Sequence, residues 1–244
     1  MKNKIKSFLY GFLLLHGLWF AGHFLINTRL IPLPQTVYAY MDGQFWLHMI
    51  RPVVHSLWRI FFSMGIAILI GLVFGVLMAQ SKLMGKILNP LIYFTFPIPK
   101  MAFLPIVMIN FGLGNPTIIT MIVLIIVFQI IINVRDSILA IPQENYQTLL
   151  VLGANKWRIL KDVTLPAALS QILSSSRVAL GTATAILFIT ENNGRIYGVG
   201  RFIMDAQTRI DYVSMFAGIF VLSMMSFLLF LLIDVLEKTF MKWR

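Results

Sequence analysis

The stretch that decides the fold is VLGANKWRILKDVTLPAAL, residues 151–169, which separates two long apolar segments. Charged side chains are concentrated in its middle, at Lys156, Arg158, Lys161 and Asp162, and a Leu-Pro pair follows them. A connection that only joined two apolar segments could be far shorter. The stretch is therefore expected to lie outside the apolar part of the molecule, where another surface binds it.

The composition around this stretch is that of a membrane protein. Of the 244 residues, 59% are hydrophobic and only 12% are charged, and the mean hydropathy is +0.85. A soluble domain needs about 25% charged residues to cover its surface. Half of that value, together with several apolar runs of about 20 residues, places the chain in a lipid bilayer.

The charge and the missing residue types exclude several functions. The formal net charge of +11 could indicate a nucleic-acid partner, but the basic residues are scattered between apolar segments, which membrane topology explains better. Without cysteine, the chain has no disulfide, thiolate metal site or cysteine nucleophile. No metal site is expected, because the histidines lack the i, i+4 spacing of a helical site. They are His16, His23, His48 and His55.

Six apolar segments are each long enough to cross about 30 Å of hydrocarbon as a helix. They cover roughly residues 8–27, 57–79, 88–112, 115–134, 170–190 and 213–235. The first exceeds the apolar core of a signal peptide and lacks a small-x-small cleavage site, so we expect a retained span. Because the runs are continuous rather than alternating, the sequence predicts an all-α, polytopic bundle of about six transmembrane helices.

The basic residues between these segments predict the orientation. With the N-terminus inside, the inner pieces carry twelve Lys and Arg residues and the outer pieces carry five. Three more, Arg59, Lys100 and Arg177, fall within spans. Inner loops of membrane proteins are richer in Lys and Arg than outer loops. Both termini and residues 151–169 are therefore expected in the cytoplasm.

The third apolar segment is the least regular, because it contains four prolines, Pro90, Pro97, Pro99 and Pro105. Proline kinks a helix, which is tolerated where protein or a water-lined space satisfies the freed backbone groups. A bent packing helix and a segment that lines a translocation pathway both explain the pattern. In the second interpretation Pro99 and Pro105 are pathway candidates.

Residues 135–165 are too polar for lipid and long enough for two short helices. Apolar residues recur there at helical spacing, at Leu149, Leu152, Trp157, Leu160 and Val163. Gly153 and its two successors can end one helix and let another begin at an angle. Pro166 is expected to end the second helix before the fifth span. The alternative is an amphipathic helix that lies on the inner membrane surface.

The spacing in this loop resembles that of a known family. Gly153, eleven intervening residues and then a Leu-Pro pair resemble the cytoplasmic EAA loop of binding-protein-dependent ABC transporter permeases. In that family the loop docks as a coupling helix into a groove on the ATP-hydrolysing subunit. The Glu-Ala-Ala that names the loop falls on Gln147, Thr148 and Leu149 here, so a salt bridge from that glutamate is not expected.

Further stretches resemble the nitrate/sulfonate/taurine branch of these permeases, and the resemblance covers roughly residues 31–236. They are LPQTVYAYM and HMIRPVVHSLWRI (33–41 and 48–60), LNPLIYFTFPIPKMAFLPIVMINFGLG (88–114) and ITENNGRIYGVGRFIMDA (189–206). In the last stretch Glu191 precedes Gly198 by seven residues and Gly200 by nine.

The resemblance implies a type I ABC importer permease in a bacterial inner membrane. Its single domain would cover residues 1–244, with a core at 50–236 and a coupling loop at about 136–167. The implied partners are two ATP-binding cassette ATPase subunits, a second permease copy or a close homologue, and an extracytoplasmic solute-binding protein. The implied solute is a small anion such as a sulfonate, taurine or nitrate, although similar permeases carry vitamin precursors. The implied coupling residues are Leu152, Gly153, Ala154, Lys156, Trp157, Arg158, Leu160 and Pro166.

Motifs for catalysis are absent from the sequence. No GxxxxGK[ST] phosphate loop, Ser/His/Asp set or catalytic carboxylate pair can be assembled. We therefore expect no enzyme activity and no cofactor, with ATP bound by partner subunits. An ion- or proton-coupled secondary transporter is the alternative, which predicts transport without an ATPase and inverted repeats that the sequence does not show. A scaffold that transports nothing would leave Glu191 and the prolines of the third segment unexplained.

Two charged residues of the fifth span are further pathway candidates. Glu191 lies at its outer end, where an acid is costly unless it faces water or a partner. It either pairs with Arg195 or caps nearby backbone at the interface, or it faces the two-fold axis as a gate residue. Arg177 lies nearer the cytoplasmic end, where it either snorkels to the surface or attracts an anionic solute.

Overall fold

The computed structural model describes the backbone of residues 2–26, 30–193 and 197–241, with side chains from residue 10 onward except that of Phe240. All regular structure in these ranges is helical, as the apolar runs predicted. The helices are α1 (Lys2–Ile26), α2 (Pro34–Tyr40), α3 (Gly43–Gln80), α4 (Lys82–Thr95), α5 (Leu104–Phe111), α6 (Asn115–Leu139), α7 (Gln143–Val151), α8 (Lys156–Ile159), α9 (Leu165–Asn193), α10 (Val199–Thr208) and α11 (Tyr212–Phe240).

The core is built around α6, which packs against both α3 and α9. Ile122, Ile126 and Ile130 of α6 are fully buried. On α3, Gly71 and Gly75 let the two helices approach closely, because a Cβ on either glycine would collide with α6 side chains. Small residues allow such close helix packing in lipid, where association depends on van der Waals contact.

Four helices within the described ranges are long and apolar enough to cross a membrane. They are α3, α6, the continuous helix Lys156–Asn193 and α11. A fifth crossing results if the bent pair Lys82–Thr95 and Lys100–Phe111 is one span. Over the residues whose side chains are described, α1 supplies a shorter apolar helix, Tyr10–Ile26. The chain is therefore a multi-pass helical membrane protein. The described residues contain four or five such crossings, and α1 coincides with the first of the six predicted segments.

The third apolar segment is broken, as its prolines predicted. After α4 ends at Thr95, the chain passes Pro97 and Pro99, and a 3-10 turn at Lys100–Phe103 leads into α5. The two parts meet at an angle of 85°. Pro105 lies in the first turn of α5, where its missing N–H leaves no helical hydrogen bond unmade.

The expectation that Pro166 ends a helix is wrong. Helix α8, a π turn at Leu160–Thr164 and α9 form one continuous helix of 38 residues, Lys156–Asn193. Proline cannot donate the regular backbone hydrogen bond, and its ring crowds the preceding turn. The wider π turn lies directly before Pro166 and lets the helix continue. The continuous helix begins at Lys156, so its first turns lie within the predicted coupling loop of 136–167.

The two ends of the bundle carry different short helices. The loop end carries α7 and, after the turn at Gly153, α8, which is the first turn of the continuous helix Lys156–Asn193. The opposite end carries α2 and α10, which pack against α11 around a second apolar cluster that includes Val37, Met49 and Ile203. Helix α1 is attached near α2, because Nε1 of Trp19 donates to the carbonyl oxygen of Pro32 at 3.0 Å.

Candidate docking surface and buried charge cluster

Gly153 forms the turn between α7 and α8, as predicted. Its φ of +76° lies in the left-handed region that glycine adopts without strain. The N–H of Gly153 donates to the carbonyl of Leu150 at 3.0 Å, and that of Ala154 donates to Leu149 at 2.9 Å. Asn155 caps α8, since its Oδ1 accepts a backbone N–H of that helix at 2.9 Å. Local hydrogen bonds therefore set the angle between the two helices.

An apolar surface is exposed on both sides of this turn. Leu152 is 75% exposed and Trp157 is 68% exposed, and Leu150 and Val151 are exposed as well. We name these four residues the loop surface. Large apolar side chains exposed together on a protein mark an interaction site.

The other loop residues named from the sequence differ in their exposure. Lys156 and Arg158 are exposed at its edge, and Nε of Arg158 lies 3.5 Å from Oδ2 of Asp162. Ala154 and Leu160 are half-buried. The exposed apolar area therefore comes mainly from Leu152 and Trp157 and their α7 neighbours, with charged side chains beside it.

A buried ion pair lies at the opposite end of the bundle. Nη1 of Arg59 on α3 donates to Oε1 of Glu191 on α9 at 2.5 Å, and neither side chain has measurable exposure. Ser56 Oγ donates to the same carboxylate oxygen at 2.7 Å. The N–H of Gly200 donates to Oε2 at 2.8 Å. The Glu191 carboxylate thus accepts three hydrogen bonds, from α3 and α10.

This cluster extends to a fourth helix. Nε of Arg59 donates to Oδ1 of Asn115, at the start of α6, at 2.8 Å, and the N–H of Val199 donates to Ser56 Oγ at 3.0 Å. Within the described residues, Nη2 of Arg59 has no hydrogen-bond partner. One polar network therefore joins α3, α6, α9 and α10. Removing one partner of such a buried pair leaves an uncompensated charge and costs about 3–5 kcal/mol.

Two glycines make room for the carboxylate of Glu191. A Cβ added to Gly198 would overlap that carboxylate, and one added to Gly200 would lie 2.9 Å from the backbone oxygen of Phe188. Only a backbone without side chains can approach the carboxylate this closely. Steric fit around the Glu191 carboxylate therefore explains why glycines stand seven and nine residues after it.

This geometry corrects most of the sequence interpretation of Glu191. The side chain does bond nearby backbone, at Gly200, but it is buried inside the protein rather than exposed at its surface. The residue is only 1% exposed within a single chain, so it does not face a pathway on a two-fold axis. Arg195 lies outside the described residues, and Arg59 supplies the positive charge instead. A buried carboxylate needs a charge partner and hydrogen bonds, and the interior of the subunit provides both.

Arg177 is also paired inside the subunit. Its Nε and Nη2 each lie 2.8 Å from Oδ1 of Asp234, and Glu237 is a second ion-pair partner. Both acids lie on α11, so the cluster joins α9 to α11. The carboxylates compensate the guanidinium charge, so within the subunit Arg177 is not an uncompensated cation.

The remaining pathway candidates lie at the broken third segment. Pro99 precedes the 3-10 turn and Pro105 lies in the first turn of α5, and both are exposed. A cavity of about 1050 Å³ opens beside the break, between α4 and the second half of α6. Neither proline lines this cavity. The two prolines lie at the bend of the chain, and other side chains line the cavity.

The sequence locates the charged residues but misses their partners. A charge inside an apolar run needs a partner of opposite sign, which was the available signal for pairing Arg59 with Glu191. Asn115 carries no such signal, since asparagine at a helix start is common. In the described part of the chain, no group of three His, Asp or Glu residues could hold a metal ion.

Comparisons with known proteins identify the family. Residues 44–242 match the family described as "Binding-protein-dependent transport system inner membrane component". The chain is 29% identical over 229 residues to the taurine transport system permease protein of Escherichia coli (strain K12), covering 90% of this chain and 82% of the relative. It is 31% identical over 185 residues to the bicarbonate transport system permease protein of Synechococcus elongatus, covering 73% and 64%.

Solved structures share the fold. The MetNI methionine ABC transporter, in an inward-facing conformation, matches with a TM-score of 0.70 at 20% identity, over 82% of this chain and 99% of that chain. A bacterial alginate ABC transporter in complex with an alginate-bound periplasmic protein matches with a TM-score of 0.64 at 17% identity, over 97% and 96%. The all-α bundle is therefore that of a type I ABC importer permease.

The matched region includes both the loop surface and the Arg59–Glu191 pair. Its relatives are transport components rather than enzymes, and none of these comparisons supports a secondary transporter. The chain therefore belongs to the family of binding-protein-dependent transport system inner membrane components, and it is a transmembrane permease subunit of an ABC importer.

Proposed function

We propose that the loop surface binds a separate ATP-hydrolysing subunit, and that this chain itself binds no nucleotide. The exposure of Leu152 and Trp157 beside the turn at Gly153 carries the proposal. Apolar side chains in the middle of a protein interface typically provide most of the binding energy. Because hydrogen bonds set the turn, the two helices present these side chains in one orientation. An ATPase that closes on nucleotide could then displace the loop and the spans attached to it.

The family resemblance also supports the proposal of three further kinds of partner: a second permease subunit, ATPase subunits and a solute-binding protein. In this proposal two copies of the chain, or one copy and a close homologue, form the pathway, and two ATPase subunits drive it. An extracytoplasmic binding protein delivers the solute. The structurally similar alginate transporter was solved in complex with such a periplasmic protein, which carries alginate. The solute is small, since relatives are named for taurine, aliphatic sulfonates, bicarbonate and riboflavin.

The ATPase contact can be tested with two loop variants. Gly153→Asp forces a side chain into the left-handed conformation, and Trp157→Ala removes the largest apolar contact. Both should leave membrane insertion intact but weaken association with the ATPase, by about 2 kcal/mol or more for Trp157→Ala. Solute-stimulated ATP hydrolysis by the assembled complex should be lost. Lys238→Ala, an exposed change at the end of α11, is the control.

Retention of full assembly and hydrolysis by both loop variants would refute this proposal. A helix that lies on the membrane surface would then explain the exposed side chains better. Tight ATP binding to the purified chain alone would contradict the separate proposal that partner subunits bind the nucleotide.

The proposed orientation places the loop end and both termini in the cytoplasm, which the twelve-to-five distribution of basic residues supports. Gln147 on α7 and Gln207 on α10 are both exposed, at the loop end and the opposite end. Since the chain has no cysteine, Gln147→Cys and Gln207→Cys each introduce a single thiol. In intact cells, an impermeant thiol reagent should label only Gln207→Cys. Labelling of Gln147→Cys alone would reverse the orientation.

A further inference from the structure

The cavity between α4 and α6 extends from the loop end to the break in the third apolar segment. At the loop end it is lined by Asn89 on α4 and by Arg135 and Leu139 on α6. Phe96 and Pro97 line it at the break. Its volume of about 1050 Å³ is large enough to enclose much of an organic molecule. We name this cavity the α4–α6 groove.

The groove is about as long as one leaflet of a bilayer is deep. Nε2 of Gln80, two residues before α4, lies 3.5 Å from Oγ1 of Thr164, so α4 begins at the loop end. From Lys86 to Phe96 the chain advances ten positions, or about 15 Å at 1.5 Å per residue. The hydrocarbon core of a bilayer is about 30 Å thick, so one leaflet contributes about 15 Å. A lipid chain of the leaflet at the loop end covers the same depth.

The walls of the groove are apolar. Tyr93 is 78% exposed and Phe94 is 72% exposed, although both lie within the bent pair of helices that can cross the membrane. Met78 on α3 and Ile132 on α6 line the groove as well. Apolar side chains in the hydrocarbon region can contact acyl chains, whereas an anion that entered this part would lose its hydration. The inner part of the groove therefore suits an acyl chain.

The loop end of the groove is positively charged. Nη1 of Arg135 donates to Oδ1 of Asn89 at 2.5 Å, and Nε donates to Oδ1 of Asp136 at 2.8 Å. Nη2 lies 2.7 Å from the same carboxylate oxygen. These contacts use three of the five N–H donors of the guanidinium and fix its position across the groove. The remaining two can donate to a phosphate oxygen.

Two lysines continue this face of α4 beyond the lining of the groove. Lys82, Lys86 and Asn89 follow one another at spacings of four and three, which places them on one side of the helix. Both lysines are exposed, and Lys86 lies one turn from Asn89, which Arg135 contacts. Among the described residues, no carboxylate forms an ion pair with either lysine. Three basic residues against Asp136 alone leave this end of the groove with an excess of positive charge.

We propose that the α4–α6 groove binds a phospholipid with an anionic headgroup, from the leaflet at the loop end. The phosphate contacts Arg135 and Lys86, and one acyl chain lies along Tyr93 and Phe94 toward the break. Basic pockets between transmembrane helices bind anionic lipid headgroups. A free anion would use only the charged end, and the lysines would repel the ammonium group of a zwitterionic lipid. The inference goes beyond the proposed function, since it involves no ATPase and no transported solute.

The first test counts the bound lipids by native mass spectrometry. The full chain in detergent is mixed with equal amounts of phosphatidylglycerol and phosphatidylcholine that carry the same acyl chains. One phosphatidylglycerol should stay bound per chain after weakly held lipids dissociate. Lys82→Gln with Lys86→Gln should lower the preference for phosphatidylglycerol about tenfold. Lys238→Gln, which removes an exposed lysine at the end of α11, should leave the preference unchanged.

The second test locates the lipid by photo-crosslinking. The chain is reconstituted in phosphatidylcholine vesicles with a trace of phosphatidylglycerol that carries a diazirine in one acyl chain. Peptide mapping should find the label on Tyr93, Phe94 and Ile132, and the double lysine variant should reduce it. A phosphatidylcholine with the same diazirine should label these residues less. Unlabelled phosphatidylglycerol should compete, whereas glycerol phosphate, which has no acyl chain, should not.

Equal retention of the two lipids, or a preference that the double lysine variant keeps, would overturn the proposal. Label confined to other helices would also overturn it, and competition by glycerol phosphate would indicate a site for a free anion instead. A dimer that retains no lipid would show that a second copy covers the groove. The two lysines are exposed, so their substitution should leave the fold intact. Neither test includes an ATPase or nucleotide, so the result is independent of the proposed contact at the loop surface.

Discussion

The two ends of the bundle place charged and apolar side chains in opposite ways. At the end that carries α2 and α10, the charges of Arg59 and Glu191 are fully buried. Ser56 and Gly200 of the same chain donate further hydrogen bonds to the Glu191 carboxylate. At the loop end, the apolar side chains of Leu152 and Trp157 are mostly exposed. The charges of the first site compensate each other within one chain, whereas the second site leaves apolar side chains exposed. Substitutions should therefore affect stability at the first site and assembly at the second.

The largest effect is expected from Glu191→Ala. It leaves the Arg59 guanidinium buried without a counter-charge, and should lower the free energy of unfolding by about 3–5 kcal/mol. Denaturant unfolding of the purified chain in detergent measures this change. The control is Glu144→Ala, an exposed glutamate of α7, which should change stability little.

A double variant distinguishes loss of charge balance from loss of packing. Replacing the ion pair by apolar residues, in Arg59→Met with Glu191→Leu, removes both charges together. It should restore part of the stability that Glu191→Ala loses. If Glu191→Ala left the free energy of unfolding unchanged, the prediction that the Arg59–Glu191 pair stabilises this end of the bundle would be wrong.

An intermediate effect is expected from Gly200→Ala. The added Cβ would lie 2.9 Å from the backbone oxygen of Phe188, so the chain must shift and lengthen the bond to Glu191. We expect a loss of about 1–3 kcal/mol in the free energy of unfolding. Gly181→Ala on α9 is the matched control, because its Cβ meets nothing within 4 Å. Equal stability of the two variants would show that the carboxylate site is looser than its geometry indicates.

The smallest effect on stability is expected from Trp157→Ala. The side chain is 68% exposed, so its removal should change the free energy of unfolding of the isolated chain by no more than about 0.5 kcal/mol. The same unfolding measurement applies. A loss as large as that of Gly200→Ala would mean that Trp157 stabilises the chain itself, and the contrast between the two ends would fail.

The sequence predicts the helical class, the break at the prolines and the turn at Gly153, because each depends on local chemistry. Apolar runs select helices in lipid, proline lacks a donor, and glycine adopts positive φ. The continuity of the helix through Pro166 was not predictable in this way. A π turn changes the backbone hydrogen-bond pattern before Pro166, and no particular residue type predicts a π turn.

The charged residues show a similar limit. Glu191 and Arg59 are 132 residues apart, so their contact depends on how α3 and α9 pack. Their positions within apolar runs indicate that each needs a partner, but several basic residues were available. Lys100 was the reverse case. Its charge is visible in the sequence, but only the packed bundle shows that none of the described carboxylates forms an ion pair with it.

The continuous helix Lys156–Asn193 connects the two ends mechanically. At 1.5 Å per residue, its 38 residues form a lever of about 57 Å. Glu191 fastens one arm of it to α3, and Trp157 lies 34 positions away at the free arm. A tilt of about 5° around Glu191 would therefore carry Trp157 through about 4 Å, for a rise of 1.5 Å per residue. If an ATPase displaces the loop as proposed, the buried ion pair would be the fulcrum about which the span rotates.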